Sequence, residues 1–349
     1  MSIIRSYISN VYSKVNVFEV NKKYTKLLIC SKINITLKTS TVNKLKKIVK
    51  HFMHTYKKKI LHESISFQTY NDLAFTIKKI IPCLPSNLDL IVGIPRSGMI
   101  PAYMIGAFIN CKVCSLDEFI IGLYGNTGER PLSNKYNHDP KNILIVDDSI
   151  DSGTALNRAK LKIPSDILKD KKIEYLAVYA RDSSKHLVDY YGKIIPQPRI
   201  FQWNYLHHNI LSKSCMDIDG VLCVDPSLDE NDDGEKYMYF IRNAKPLYIP
   251  PYKIYALVTS RLEKYRIDTE YWLAKYGVQY ETLYMLDLPT AEERRKLNYH
   301  AIFKAKVYSK LSLAELFIES EPEQAQKIAE LTHKPVICVK NDEYYGKDS

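Results

Sequence analysis

The chain has 349 residues, 46% of them hydrophobic and 26% charged, with a formal net charge of +11. That length favours two or three domains, and the apolar content supplies real cores, which excludes a disordered chain. The longest apolar runs fall far short of the roughly 18 residues of a membrane-spanning helix, and the N-terminus lacks the apolar stretch of a secretory signal, so a cytoplasmic protein is expected.

The charge is unevenly spread. Residues 1–60 hold fourteen Lys or Arg and one acid, Glu19, whereas the other 289 residues hold 36 basic and 38 acidic side chains. Within this basic N-terminal extension Val42, Leu45, Ile48, Val49, Phe52, Met53 and Tyr56 recur at helical spacing, with Lys44, Lys46, Lys47, Lys50 and Lys57 off that stripe. The pattern predicts a basic amphipathic helix that docks either on the protein itself or, through residues 42–57, on an anionic membrane surface. The seven cysteines are scattered and odd in number, which fits reduced core thiols. Cys111 and Cys114 spell C-x-x-C but read as packing residues of a strand.

From about 61 to 200, helix and strand signals alternate. Helices are predicted over Asn71–Ile81, Ile100–Asn110 and Ala155–Leu161, and strands over Leu88–Ile94, Lys112–Leu116, Ile143–Val146 and Ile173–Ala180, an order that predicts a doubly wound parallel sheet. The aliphatic run Ile143–Val146 suits burial on both faces, so Asp147 and Asp148 fall at its carboxyl end. Asp151, Ser152, Gly153, Thr154 and Ala155 follow at the start of the next helix. That edge of an open α/β sheet is where ligands bind, and a Gly-containing turn at a helix start presents backbone N–H groups to an anion. Two carboxylates suit vicinal hydroxyls and the turn suits a phosphate, which together suggest a ribose 5-phosphate. A second such turn, Pro95-Arg96-Ser97-Gly98, follows the strand Leu88–Ile94 and implies a second phosphate group. The Gly-, Pro- and Asn-rich stretch 121–140, with Arg130 and Lys135, is long enough to be a functional loop.

A Pro- and aromatic-rich connector leads through 201–214 into a second α/β pattern over 215–349. "MDIDGVL" places Asp217 and Asp219 two residues apart after an apolar strand, so both face one pocket. A nucleophilic carboxylate beside an acid that protonates the leaving group is an arrangement for phosphoryl transfer. A strand in "KIYALVTSR", a helix near Thr269–Tyr276 and a closing strand-helix-strand complete the pattern. Segment 225–250 reads as a small insertion whose acids form a solvated loop.

Both halves resemble known families. "ILIVDDSIDSGTAL" is similar to the ribose-phosphate motif of type I phosphoribosyltransferases, and "IVGIPRSGMIPA" to their pyrophosphate loop. The resemblance implies that fold over 61–200 and phosphoribosyl pyrophosphate (PRPP) as donor, with Mg²⁺ bridging its diphosphate. Asp147 and Asp148 would bind the ribose hydroxyls, Asp151, Ser152, Gly153, Thr154 and Ala155 the 5-phosphate, and Arg96, Ser97 and Gly98 the pyrophosphate, with 121–140 as the catalytic hood. The family's Thr-Gly-x-Thr ending is Ser152-Gly153-Thr154-Ala155 here, which removes one hydroxyl and leaves the backbone donors.

Residues 215–349 resemble haloacid-dehalogenase-like phosphatases. That implies Asp217 as nucleophile, Asp219 as acid and base, Thr259 as phosphoryl-binding hydroxyl and Lys304, or alternatively Lys306, as the neutralising lysine. Mg²⁺ would be held by Asp217, Glu319 and the Asp219 carbonyl. The fourth motif reads Glu319-Ser320-Glu321 in place of paired aspartates, with Glu323 as a substitute ligand. The domain pairing resembles the bifunctional ribofuranosyltransferases of bacterial capsule and O-antigen assembly. It implies transfer of 5-phosphoribose to a glycan acceptor, lipid-linked in a membrane setting, and removal of the 5-phosphate to leave ribofuranose. Two other readings share the first motif: nucleotide salvage, with a nucleobase acceptor, and a regulator that binds nucleic acid through residues 1–60. The regulator leaves the phosphatase motifs unexplained, so no nucleic-acid partner is expected.

Overall fold

The computed structural model describes residues 65–124, 139–296 and 299–346. The helix expected within 42–57 and the loop residues Arg130 and Lys135 lie outside the described residues. Among those described, no helix is long and apolar enough to cross a membrane.

The first half runs β1 (Ser66–Gln68), α1 (Tyr70–Ile80), β2 (Leu90–Gly93), α2 (Met99–Ile109), β3 (Lys112–Ser115), α3 (Leu116–Ile120), β4 (Asn142–Ile150), α4 (Thr154–Lys162), α5 (Ser165–Lys169), β5 (Lys172–Ala180), β6 (Tyr190–Ile194) and β7 (Arg199–Phe201). Thr69 starts α1 with a capping box: its hydroxyl accepts from Asp72 N at 3.1 Å, and the Asp72 carboxylate accepts from Thr69 N at 2.9 Å. Strands β2 to β6 form one five-stranded parallel sheet in the order β3-β2-β4-β5-β6. Ile91, Leu144 and Leu176 pack with Leu73, Ile77 and Ile105 of α1 and α2 on one face. Leu90, Ile143 and Ile145 pack with Phe119 and Leu156 of α3 and α4 on the other. Burial on both faces is why these strands read as unbroken apolar runs. Chain direction across the sheet reverses between β2 and β4, and such a switch point opens a crevice at the carboxyl edge.

One strand is longer than its apolar run. β4 continues to Ile150, paired with Ala180 of β5, whereas its pairing with β2 stops at Gly93↔Val146. Asp147 and Asp148 are therefore strand residues that overrun β2, not the first residues of a loop.

The second half runs β8 (Ser214–Met216), α6 (Glu235–Asn243), β9 (Ile254–Leu262), α7 (Arg266–Lys275), β10 (Tyr280–Leu286), α8 (Ala291–Lys296), α9 (His300–Lys310), β11 (Leu316–Glu319), α10 (Pro322–Thr332), β12 (Val336–Cys338) and β13 (Glu343–Tyr345). Its six-stranded sheet has the order β10-β9-β8-β11-β12-β13, parallel except for β13, which runs antiparallel to β12. One face packs Met216, Leu257 and Ile318 against Phe240, Ile241 and Trp272. The other packs Val258 and Phe317 against Tyr308, Ala325 and Ile328. β8 is central and its neighbours β9 and β11 lie on either side, which makes a second switch point.

The segment 201–214 is packed along most of its length. β7 pairs with β1 in register Ser66↔Arg199. Phe201 then joins the first core, with Trp203 against it, while Ile200, Tyr205, Ile210 and Leu211 enter the second core beside Ile65. Among the acids of 225–250, Asp225, Asp229, Asp232 and Glu235 are exposed, as a solvated loop implies, and some are also fixed by hydrogen bonds. Asp232 caps α6 by accepting from Gly234 N (2.8 Å) and Tyr237 N (3.0 Å), and Asp233 accepts from the Tyr265 hydroxyl (3.1 Å) and Ala291 N (2.9 Å). The reason is that α6 buries Tyr237, Phe240 and Ile241, so its start is fixed. Cys111 and Cys114 are buried, and burial pushes both thiols up to about 12, as packing residues.

Phe201 is 5% exposed and stacks on Trp203 with centroids 4.8 Å apart. Phe201→Ala should therefore lower stability by about 3–5 kcal/mol, seen as a lower urea midpoint for the transition that includes the first sheet.

Candidate active sites

The first site lies at the carboxyl edge between β2 and β4. Arg96 is exposed in the turn that leaves β2. A Cβ on Gly98 would fall 2.6 Å from Ile94 O and 2.7 Å from Val146 O, so the turn can fold against the strand ends only because that side chain is missing. On the other turn Gly153 has φ +81°, a left-handed conformation that favours glycine, and it caps α4. Asp151, Ser152, Thr154 and Ala155 are exposed around it, and the Ser152 and Thr154 hydroxyls share a 2.8 Å hydrogen bond. The first turn of a helix carries amides with no intrahelical acceptor, so this loop is equipped for an anion.

The two aspartates differ. Asp148 is 4% exposed; its Oδ1 accepts from Ser97 Oγ at 2.9 Å and its Oδ2 from Trp203 Nε1 at 2.8 Å. Asp147, the adjacent strand residue, accepts from Asp148 N at 2.9 Å. Burial and then the neighbouring Asp148 charge hold the Asp147 carboxyl well above the usual carboxylate range, with Arg199 pulling the other way. Asp151 accepts from Arg181 Nη1 at 3.0 Å and Gln197 Nε2 at 3.1 Å; burial would raise its pKa, but these donors outweigh it and leave it lowered. Arg199 is 5% exposed, and its Nη1 has no hydrogen-bond partner among the described residues.

The edge thus brings together Ser97, Asp147, Asp148 and the 151–155 loop. Sequence reasoning missed Arg181, Gln197, Arg199 and Trp203. They lie far downstream of the motif, and the single signal for them was the Pro- and aromatic-rich composition of the connector.

The second site is a cavity of about 140 Å³ lined by Asp217, Asp219, Thr259 and Lys304, and also by Asp225 and Asn231. Asp217 follows β8, Thr259 sits on β9, Lys304 on α9 and Glu319 at the end of β11, so four elements converge at the switch point. Lys304 Nζ donates to Asp217 Oδ2 (2.5 Å), Glu319 Oε2 (2.8 Å) and Gln324 Oε1 (3.0 Å). Burial alone would lower the Lys304 pKa, but Asp217 and Glu319 outweigh it and raise it. Asp217 is pushed up by burial, with Lys304 opposing. Lys306 is exposed and bonds the Tyr299 hydroxyl, so Lys304 is the lysine of this site. Arg261, unremarked in the sequence, grips Asp219 with Nη2 at 2.6 Å and Nε at 3.1 Å, and is fully buried.

Carboxylate oxygens suit Mg²⁺ in kind. The arrangement does not suit it: Lys304 stands between Asp217 and Glu319, and Glu319 Oε1 is taken by Ser320 N (3.0 Å) and Glu321 N (3.3 Å). The Asp219 carbonyl accepts from Ser320 Oγ at 3.1 Å. Among the described residues no three His, Cys, Asp or Glu side chains form a metal-holding group. The expected set of Asp217, Asp219 and Glu319 is therefore not assembled around an ion position.

The chain is similar to known phosphoribosyltransferases over a third of its length. It is 28% identical over 119 residues to a xanthine-guanine phosphoribosyltransferase of Desulfotalea psychrophila, covering 33% of this chain and 69% of that protein. It is 25% identical over 126 residues to the enzyme of the same name from Idiomarina loihiensis, covering 34% and 73%. Among solved structures, the Helicobacter pylori xanthine-guanine-hypoxanthine phosphoribosyltransferase aligns at 20% identity over 41% of this chain and 95% of its own, with a TM-score of 0.32. No protein-family model matches the chain.

Arg261→Ala leaves the Asp219 carboxylate without its buried partner. It should cost about 3–5 kcal/mol, measured by urea unfolding against the wild type. A loss under about 1 kcal/mol, the scale of a surface pair, would contradict the geometry.

Proposed function

We propose that the first site transfers 5-phosphoribose from PRPP to a glycan hydroxyl and that the second then removes the 5-phosphate, so that one chain installs ribofuranose. The observation that carries this reading is the presence in one chain of two sheet-edge sites: an aspartate pair beside an open glycine turn, and a carboxylate–lysine pocket.

In the first reaction Asp147 and Asp148 hold the ribose hydroxyls, the 151–155 loop holds the 5-phosphate, and Arg96, Ser97 and Gly98 hold the diphosphate, which carries its own Mg²⁺ as part of the donor. The anomeric C–O bond breaks with its electron pair leaving on pyrophosphate. The acceptor oxygen bonds to that carbon, and its proton is taken up by the departing pyrophosphate. Positioned charge on both sides of the developing oxocarbenium supplies the stabilisation. In the second reaction an Asp217 oxygen attacks phosphorus, the P–O bond to the ribose 5-oxygen breaks and that oxygen takes a proton from Asp219. Water then attacks the aspartyl-phosphate, giving its proton to Asp219, and releases inorganic phosphate, while Lys304 neutralises the charge that Asp217 meets. Thr259 supplies a hydroxyl to the phosphoryl group, and Arg261 fixes Asp219 beside the leaving oxygen. A lipid-linked acceptor would give residues 42–57 a use at an anionic membrane surface.

A second reading, a purine acceptor, is favoured by the similarity to xanthine-guanine phosphoribosyltransferases. It predicts pyrophosphate release dependent on xanthine or guanine, which the glycan reading does not.

The variant carrying Asp147→Asn and Asp148→Asn should lose PRPP-dependent pyrophosphate release while still hydrolysing a 5-phosphoribosylated product. Release at the wild-type rate would sink the assignment of these acids. Asp217→Asn should yield product that keeps its 5-phosphate, detected as an added phosphate mass. A phosphate-free product from the purified variant would remove Asp217 as nucleophile.

A further inference from the structure

We infer that Arg199 is the acceptor-binding residue of the first site, and that the acceptor meets it with an anionic oxygen, from a carboxylate or a phosphate. This rests on the reading of the first site as a PRPP-dependent transferase.

Arg199 is a cation with 5% exposure whose Nη1 meets no acceptor among the described residues. A buried charged donor without a partner is costly to keep, and burial pulls its pKa down while Asp151, Asp148 and Asp147 pull it up. Gln197 joins Arg199 to the phosphate loop, accepting from Arg199 N at 3.0 Å and donating to Asp151 at 3.1 Å, and Phe201, beside the guanidinium, stacks on the Trp203 that bonds Asp148, so Arg199 stands at the first site. Its backbone is fixed there, since Arg199 N donates to Gln197 Oε1 at 3.0 Å and β7 pairs with β1.

The donor's phosphates do not need it. The diphosphate turn, residues 95–98, follows β2, and the 5-phosphate loop follows β4. Arg199 stands on the β5 side: Phe201, beside its guanidinium, packs on Tyr179 of β5 with centroids 5.5 Å apart, and Arg181, directly after β5, bonds Asp151 at 3.0 Å. A donor whose ribose spans β4 with its diphosphate toward β2 leaves the β5 side to the incoming acceptor. Arg181, with 43% of its side chain exposed, adds a second positive charge to that side. Trp203, fixed by Asp148, and Phe201 beneath it supply an apolar wall next to the guanidinium, whose carbon lies 5.8 Å from the Phe201 ring centroid. A buried guanidinium donor left without an acceptor is best matched by a carboxylate or phosphate oxygen, because charge-assisted bonds are about twice as strong as neutral ones.

The test is calorimetric titration of the full-length protein, loaded with PRPP and Mg²⁺, with galactose, galacturonate and galactose 1-phosphate. At least one anion should bind about tenfold or more tightly than galactose, and the tighter of the two identifies carboxylate or phosphate as the group recognised. Arg199→Gln should abolish that preference and leave PRPP affinity within about threefold of wild type, and Arg199→Lys should keep part of the preference. Equal binding of the neutral sugar, binding of none of the three, or a preference that survives Arg199→Gln would overturn the inference and leave the transferase reading standing. So would an Arg199→Gln variant that loses PRPP affinity itself by about tenfold or more, since Arg199 would then serve the donor. Wild-type protein that binds no PRPP would overturn both.

Discussion

One carboxylate ties the first half of the molecule to the segment that begins the second. Asp148 accepts from Ser97, on the turn after β2, and from Trp203, beyond β7. It can do so because β4 overruns β2 by four residues, carrying the acid past its neighbour's last pairing at Gly93↔Val146. Hydrogen bonds to a buried charged group are worth about 1.5–3 kcal/mol each, enough to fix both partners. Trp203 in turn sets the stack with Phe201, and the next residues bury Tyr205, Ile210 and Leu211 in the second core. The residue that shapes the first site therefore also anchors the path of the chain into the second sheet.

Both sites use carboxylates at a sheet edge, but they differ in how those charges are balanced. In the second site every principal acid has a buried counterpart: Asp217 and Glu319 share Lys304, and Asp219 has Arg261. Such pairs fix geometry more than they add stability, since desolvation offsets much of their attraction. The cavity they border still crowds negative charge, and Asp225 is held above its usual pKa by burial and then by Asp219 and Glu321. In the proposed second reaction a phosphate monoester would add charge to this place, which is why a preset lysine and arginine matter to that reading. The first site is less complete, with the Arg199 donor unpaired and the 151–155 loop open, as suits a pocket whose ligands supply the missing partners.

Much of this was legible locally. The apolar runs gave the parallel strands because burial on both faces leaves no alternation, and the Gly turns marked the edges because only there does the backbone approach so closely. Asp217, Thr259, Lys304 and Glu319 do converge, since each follows or flanks an element of the second sheet. What local pattern could not show was pairing between distant segments. The extension of β4 past its apolar residues depends on β5, whose partner is thirty residues on. Arg261 and Lys304 satisfy acids 42 and 87 residues away, and Asp217 and Glu319 share that one lysine because of the packing. Asp232 is exposed as its segment's polarity implies, but its bonds to a helix start, and those of Asp233 to Tyr265 and Ala291, come from the fold.

The central claim is that the two sites act in order on one ribose. The direct measurement is a ³¹P NMR time course of full-length protein with PRPP and a glycan acceptor. The account predicts that pyrophosphate appears first, that a 5-phosphorylated product rises and falls, and that inorganic phosphate follows in equal amount to the pyrophosphate. Inorganic phosphate released without prior pyrophosphate, or pyrophosphate accumulating while the product keeps its 5-phosphate, would contradict it.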